Sequence, residues 1–135
     1  MKHALTMLAV LLVSACSGPF FYFPGGKLSG PEREIPEFYD IEDGTHFIEL
    51  ETLPSTEPYS VNRNGEFISG LIYIDPDLNA EKTWYANLFR DTMVRIKVSG
   101  DDNVCRAMVK KETDPTILEK FDLSGRAVYQ LVRRH

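Results

Sequence analysis

The sequence predicts a mainly β fold with helices, built as a small, six-stranded, largely antiparallel barrel. Several short runs alternate apolar and polar residues, which is the pattern of strands that have one face in a core. Turn residues separate many of these runs, so consecutive strands are expected to pair as hairpins in a largely antiparallel sheet. Several runs place their apolar residues on one face and their charges on the other. A closed barrel suits such strands because closure leaves no edge strand unpaired.

The first strands are predicted from residues 45–52 (THFIELET), which alternate, and from residues 58–75. The second run contains Asn64-Gly65, a dipeptide typical of two-residue hairpin turns because both residues tolerate positive φ. We therefore expect one strand to end and the next to begin at Asn64-Gly65. The later arm of this run has apolar residues on both faces, which indicates a central strand.

In residues 75–91 the spacing of the apolar residues changes from every second to every fourth position. Ala80, Trp84 and Leu88 recur every fourth residue, which predicts a helix with a wide apolar face. Alternation returns in residues 93–99, where three apolar side chains are expected to point inward and two basic ones outward: Val94, Ile96 and Val98 inward, Arg95 and Lys97 outward.

The remaining chain predicts two more strands with a short helix between them. Residues 104–112 alternate as a strand, and residues 125–134 close the chain as another. Between them, Asp114 and Pro115 are typical of a helix start, with aspartate as the N-cap and proline at the first helical position.

The first residues have the layout of a secretory signal. Lys2 is followed by an apolar run from Ala4 to Val13, which is shorter than the ~20 residues needed to cross a bilayer. Small residues then lead to Cys16, and the word Val13-Ser14-Ala15-Cys16 resembles the lipobox of bacterial lipoproteins. The resemblance implies that diacylglycerol is attached to the Cys16 thiol, that the chain is cut before it, and that the new amino group is acylated. A bacterial envelope protein is expected, in the outer membrane facing the periplasm if the source is Gram-negative.

These observations predict three parts: a signal peptide at 1–15, a lipid anchor and flexible tether at 16–44, and a barrel domain at 45–135. Glycine and proline are dense between Gly18 and Pro31, which is typical of linkers. The aromatic patch at residues 20–23 (FFYF) has two interpretations, since it either lies among lipid headgroups or folds back on the domain.

Composition excludes several function classes. The formal net charge of −5 argues against a nucleic-acid partner. Three scattered histidines and two cysteines show no ligand spacing, so no metal site is predicted. With Cys16 lipidated, Cys105 has no disulfide partner in the chain and is expected to be a buried small hydrophobe. The group Asp40, Glu42, Asp43 and His46 precedes the first strand and is expected to be loop surface.

Two local words carry a further resemblance. Trp84-Tyr85-Ala86-Asn87-Leu88, followed by residues 91–98 (DTMVRIKV), resembles the split β-barrel superfamily of flavin-binding proteins related to pyridoxamine-phosphate oxidase. Within it, the words are similar to the deazaflavin-dependent nitroreductase branch, although Thr92 stands where that branch has proline. The similarity covers roughly residues 48–134. It implies a split barrel, a flavin or deazaflavin cofactor, and a homodimer, since related barrels often dimerise.

The resemblance supports a bound cofactor less well than it supports the fold. The resemblance would assign it to five residues: Arg63, Lys82, Trp84, Tyr85 and Asn87. Where the family commonly has a basic phosphate-binding stretch, residues 51–58 (ETLPSTEP) have two carboxylates and no basic residue. No bound cofactor is therefore predicted. Two hypotheses stay open: a non-catalytic or small-ligand-binding envelope lipoprotein, and a flavin- or deazaflavin-dependent oxidoreductase acting on quinones or similar small molecules.

Overall fold

Seven strands and two helices make up the described part of the chain, which in this computed structural model comprises residues 18–20, 23–75, 82–121 and 127–134. The strands are β1 (Glu32–Glu34), β2 (Gly44–Thr52), β3 (Tyr59–Ile68), β4 (Leu71–Ile74), β5 (Met93–Val98), β6 (Val104–Lys111) and β7 (Tyr129–Val132). The helices are α1 (Lys82–Arg90) and α2 (Pro115–Leu118). None of the helices in these ranges is long and apolar enough to cross a bilayer.

Six of the strands close into an antiparallel barrel. Its order is β6-β5-β2-β3-β4-β7, and β7 pairs with β6 to complete the ring. The predicted six-stranded, largely antiparallel barrel is thus confirmed. Strand β1 adds to the free half of β6 in parallel, with Glu32 opposite Val104.

The hairpin predicted at Asn64-Gly65 is wrong, because both residues lie inside the continuous strand β3. A Cβ at Gly65 would lie 3.3 Å from methyl carbons of Ile48 and Ile72, so glycine here leaves room for two core side chains. The turn falls instead at Ser69-Gly70, where φ is +51° and +78°. Two successive positive φ angles are the geometry of a two-residue hairpin turn whose twist matches its strands.

The core lies inside the barrel, and α1 packs against it. Trp84 is fully buried and Leu88 nearly so, as the helical period predicts, whereas Ala80 lies outside the described residues. Val94, Ile96 and Val98 are also buried on β5 as predicted. The predicted short helix is present as α2, with the Asp114 side chain accepting a hydrogen bond from the Thr116 N–H.

The flexible tether predicted for residues 16–44 does not fit the later part of that segment. Leu28 and Ile35 are only 2% and 3% exposed, and residues 32–34 form β1. The glycines and prolines that are typical of a linker here allow close packing against the barrel. The packed domain therefore begins well before residue 45, while the predicted signal peptide and the predicted anchor at Cys16 lie outside the described residues.

Residues 23–31, which we call the strap, cross the outer face of the barrel. Strand residues that point away from the core underlie it, so the strap forms a second layer over part of the sheet. Its hydrogen-bonded contacts are Gly25 with Ser60 of β3, Leu28 with Glu51 of β2 and Arg95 of β5, Ser29 with Lys97 of β5, and Pro31 with Val104 of β6.

Candidate functional site

Arg63 and Trp84, both predicted cofactor residues, meet on the inner side of the barrel wall. Arg63 is paired with Ile48 across β2 and β3, so its side chain leaves the sheet on the core side. Its guanidinium carbon lies 4.6 Å from the centre of the Trp84 ring. Its Nη2 donates to the main-chain carbonyl of Asp75 at 2.7 Å. The structure therefore uses this cation to cover a core tryptophan, in the geometry of a cation–π contact.

Asn87 is likewise held within the fold. It is 6% exposed, and its Nδ2 donates to the Thr52 hydroxyl at 2.9 Å, which joins α1 to the end of β2. The side chain of Lys82 is not among the described features, so its predicted role stays a prediction.

Tyr85 is half-buried beside this region and belongs to a short aromatic row. Its ring centre lies 5.9 Å from that of Trp84, 5.1 Å from that of Phe89 and 6.4 Å from that of Tyr129. Burial, together with a side-chain hydrogen bond to Tyr85, raises the pKa of Tyr129 to about 12. Tyr129 is therefore neutral at ordinary pH.

The outer face carries a buried ion pair that the sequence did not reveal. Arg95 was expected to point outward, and it does leave the barrel on the outer side, but it is 6% exposed because the strap covers it. Its Nη1 donates to both carboxylate oxygens of Glu51 at 3.1 Å, and its Nε lies 3.0 Å from Glu32. Glu51 itself is 0% exposed.

The same pair holds the main chain of the strap at one residue. The Glu51 carboxylate accepts a hydrogen bond from the Leu28 N–H, and Arg95 Nη2 donates to the Leu28 carbonyl at 3.2 Å. Burial raises the pKa of Glu51 above its ordinary value, while the Leu28 N–H and the Arg95 charge act in the opposite direction. The Glu51–Arg95 pair therefore satisfies both main-chain polar groups of the buried residue Leu28, as a neighbouring strand would.

Beside the strap, the outer face opens into a groove of about 760 Å³. Its size is in the range of small-molecule sites, which span about 300–1,000 Å³. The groove is lined by Phe47, Ile48, Glu49, Asn62, Arg63, Asn64, Lys97, Val98, Ser99, Gly100, Asp101 and Asp102. Most of these residues are polar, and Phe47 is a 68% exposed aromatic ring.

Two side chains in the groove are held in place by neighbours. Arg33 donates to Asp101 at 2.9 Å, and the Asn103 backbone N–H lowers the pKa of Asp101, so this carboxylate is ionised near neutral pH. Lys97 Nζ donates to the Ser29 carbonyl at 3.3 Å, which ties one wall of the groove to the strap. The groove therefore presents both signs of charge, together with amide groups and an aromatic ring.

The remaining candidates from the sequence are structural. Asp40, Glu42 and Asp43 are exposed, as predicted for loop surface. His46 Nε2 contacts the Glu42 carbonyl at 2.9 Å, and Asp43 accepts a hydrogen bond from the Ser69 N–H in the β3–β4 turn.

Cys105 is a free, fully buried thiol, as predicted, with Arg33 Nε 3.5 Å from its sulfur. Across the described ranges, no three His, Cys, Asp or Glu side chains group as they would around a metal ion.

Comparison with solved structures identifies the fold. A crystal structure titled as a putative pyridoxamine 5′-phosphate oxidase from Listeria innocua matches with a TM-score of 0.51. The two chains are 14% identical, and the match covers 67% of this chain and 85% of that one. The fold is the split β-barrel. Protein-family models give no match, and neither do curated protein sequences.

The outer pair was not among the residues predicted from the sequence. Trp84, Tyr85 and Asn87 lie on α1, with Arg63 against Trp84; two of these four are buried and Arg63 is bonded within the fold, and their cofactor role stays a prediction. Glu51 and Arg95 are direct partners in the β2–β5 register, so two opposite charges across strands were the available signal.

Proposed function

We propose that this protein is a membrane-anchored envelope lipoprotein whose split barrel binds a small ligand and catalyses no reaction. One observation carries the ligand-binding part: the groove beside the strap is of ligand size, whereas Arg63 and Trp84, two of the residues assigned to a cofactor, pack against each other. The lipid anchor rests on the Val13-Ser14-Ala15-Cys16 word. An outer-membrane position facing the periplasm is favoured for a Gram-negative source.

The groove side chains favour a small polar ligand. Asn62 and Asn64 carry amides that donate and accept, Glu49 is an acceptor, and Lys97 is a donor. The exposed ring of Phe47 adds one apolar surface beside them. A molecule with several hydroxyl or amide groups and one apolar face matches this combination.

Thermal denaturation of the purified lipoprotein against a panel of polar metabolites tests the ligand site. A ligand raises the melting temperature because it binds the folded state alone. Asn64→Leu, at an exposed groove position, should remove that shift, and Thr113→Leu, at an exposed position outside the groove, should keep it. Shifts that survive Asn64→Leu and Phe47→Ala alike would show that the ligand binds elsewhere.

Fatty-acid labelling of cells tests the anchor separately. Cys16→Ser is expected to lose the label and the retention in membranes, because the thiol is the acylated group. Equal label in the variant and the wild type would contradict lipidation at Cys16.

The alternative is a flavin- or deazaflavin-dependent oxidoreductase acting on quinones or similar small molecules. The split-barrel fold and the printed name of its structural neighbour support it. The residues do not fit a cofactor well, since Trp84 is 0% exposed and Arg63 is already bonded to the Asp75 carbonyl. A tight phosphate site normally presents a basic fork or several aimed amides.

The absorption spectrum of the purified protein separates the two functions. The ligand-binding proposal expects no flavin bands and no saturable quenching when flavin is added. Bands, or saturation at micromolar flavin that disappears in Arg63→Ala, would favour the oxidoreductase.

A further inference from the structure

We propose that Phe20 and Phe23 form a second, non-covalent membrane contact that docks the strap side of the barrel on the lipid surface. The inference rests on the proposed lipid anchor and adds an orientation to it. Both rings are largely exposed, at 61% and 71%. Aromatic side chains are favoured at the boundary between headgroups and acyl chains, so two exposed rings next to an anchor have a natural place there.

The main chain pairs the two residues that carry these rings. Phe20 and Phe23 exchange two main-chain hydrogen bonds, of 3.0 and 2.8 Å. Two residues later, Gly25 exchanges two more with Ser60 of β3, at 2.8 and 2.9 Å. A Cβ at Gly25 would clash with the carbonyl carbon of Gly18, so the main chain at residue 18 packs tightly against the main chain at residue 25.

The strap then fixes this part of the chain to the barrel. Leu28 is held at both its N–H and its carbonyl by Glu51 and Arg95. The Phe20–Phe23 pair is therefore followed by two attachments to the barrel: Gly25 forms a β-bridge with Ser60 of β3, and Leu28 is held on the outer face of β2 and β5. A contact made by rings held in this way sets the orientation of the whole domain.

The course of the chain favours a lipid surface over a protein partner. A Cβ built on Gly18 would lie 3.8 Å from a carboxylate oxygen of Glu49. Only Ser17 separates Gly18 from Cys16. An acylated Cys16 would thus enter the bilayer on the same side as the two rings. Because the chain has a formal charge of −5, the contact should depend on the rings rather than on anionic lipid.

Tryptophan fluorescence tests this in the lipidated protein, reconstituted in vesicles of phosphatidylethanolamine and phosphatidylglycerol with brominated acyl chains. The sequence has one tryptophan, the buried Trp84, which serves as a constant background. Phe23→Trp is the probe. Phe89→Trp is the matched control, because Phe89 is 72% exposed and lies on α1, which packs on the opposite face of the β2–β3 wall.

Emission from position 23 is expected to move to shorter wavelength and lose intensity in brominated vesicles, while position 89 keeps its emission. Phe20→Trp should behave as position 23 does. Raising the phosphatidylglycerol fraction should leave the quenching unchanged.

The outcomes separate the two proposals. Failure of the wild type to stay on vesicles would remove the anchor and the proposed function with it. Retention without quenching at position 23, or equal quenching at positions 23 and 89, would overturn the docking alone. A wavelength shift at position 23 that needs high protein concentration instead of lipid would identify a second copy or another protein as the occupant, and would overturn it too.

Discussion

Two arginines on opposite faces of the barrel wall are held in different ways. Arg63 points inward from β3, lies over the Trp84 ring and donates to the carbonyl of Asp75, the residue after β4. Arg95 points outward from β5, pairs with Glu51 and donates to the carbonyl of Leu28 in the strap. Each arginine therefore binds a main-chain carbonyl outside the strands.

The two arginines differ in the part of the fold that each one stabilises. Arg63 adds to a core that hydrophobic packing already forms around Trp84, which is fully buried. Arg95 and Glu51 instead create the site that a separate segment occupies, since their outer face would be open to water without the strap. The inner arginine should thus matter for global stability, and the outer pair for whether residues 23–31 stay attached.

The largest expected effect is at the inner site. Trp84→Ala should destabilise the domain by about 3–5 kcal/mol, the usual range for truncating a buried tryptophan. Chemical denaturation measures it. Phe89→Ala, at a 72% exposed position on the same helix, is the control and should lower the free energy of unfolding by about 1 kcal/mol or less, the contribution of its contact with Tyr85. A loss at Trp84 no larger than at Phe89 would place the ring outside the core.

The next effect is at the outer site. Glu51→Ala leaves the Leu28 N–H without its acceptor and Arg95 with Glu32 alone, which should cost about 1–3 kcal/mol. Glu49→Ala, two residues earlier on the same face, is the control. Hydrogen exchange should show faster exchange of the Leu28 amide in Glu51→Ala and an unchanged rate in Glu49→Ala.

A double variant sharpens the comparison. Replacing both charges, as in Glu51→Leu with Arg95→Met, should recover much of the stability, since buried ion pairs are often replaceable by apolar residues. The Leu28 amide should still exchange fast, because no acceptor faces it. Slow exchange in the double variant would show that apolar packing alone holds the strap.

A smaller effect is expected at Arg63. Arg63→Met keeps an apolar stem over Trp84 but removes the cation and its hydrogen bond, which should cost about 1–2 kcal/mol. Denaturation is the measurement, and the exchange rate of the Leu28 amide should not change. Detachment of the strap in Arg63→Met would mean that the two faces are coupled.

The smallest effect concerns the aromatic row at high pH. The folded pKa of Tyr129 is about 12, above its ordinary value of 10.0, so the unfolded chain loses this proton first as pH rises. Stability should therefore fall between about pH 10 and 12. Tyr129→Phe should reduce that fall, as measured by denaturation midpoints across this range. An identical pH profile in the variant would assign the fall to other groups.

The strands were predictable because alternation and turn residues are local signals. The core-facing residues of 45–52 and 93–99 follow the alternation that the sequence predicts, while Glu51 and Arg95 on the other face are buried under the strap. The hairpin at Asn64-Gly65 was wrong because the same glycine also suits a crowded strand, where only the neighbouring Ile48 and Ile72 decide the outcome. Local propensity cannot distinguish those two uses of glycine.

The candidate sites show the same limit. Trp84, Tyr85 and Asn87 lie close together because they share one helix. The sequence predicts that helix, so it also predicts their proximity. Whether Arg63 faces a ligand or covers a ring depends on the register of β3. The strand register alone could not have predicted the buried outer pair. Glu51 is buried by a segment whose glycines and prolines predict a linker.

The strap also sets how far the barrel can travel. A free chain of residues 16–44 would have an end-to-end distance of about 30 Å, enough to sample a thick layer above a membrane. With the described chain packed from Gly18, a barrel anchored at Cys16 has two residues of slack, or about 7 Å. Under the proposed function, a barrel anchored in this way would stay at the membrane surface. Its ligand would have to reach that surface by its own diffusion or be made there.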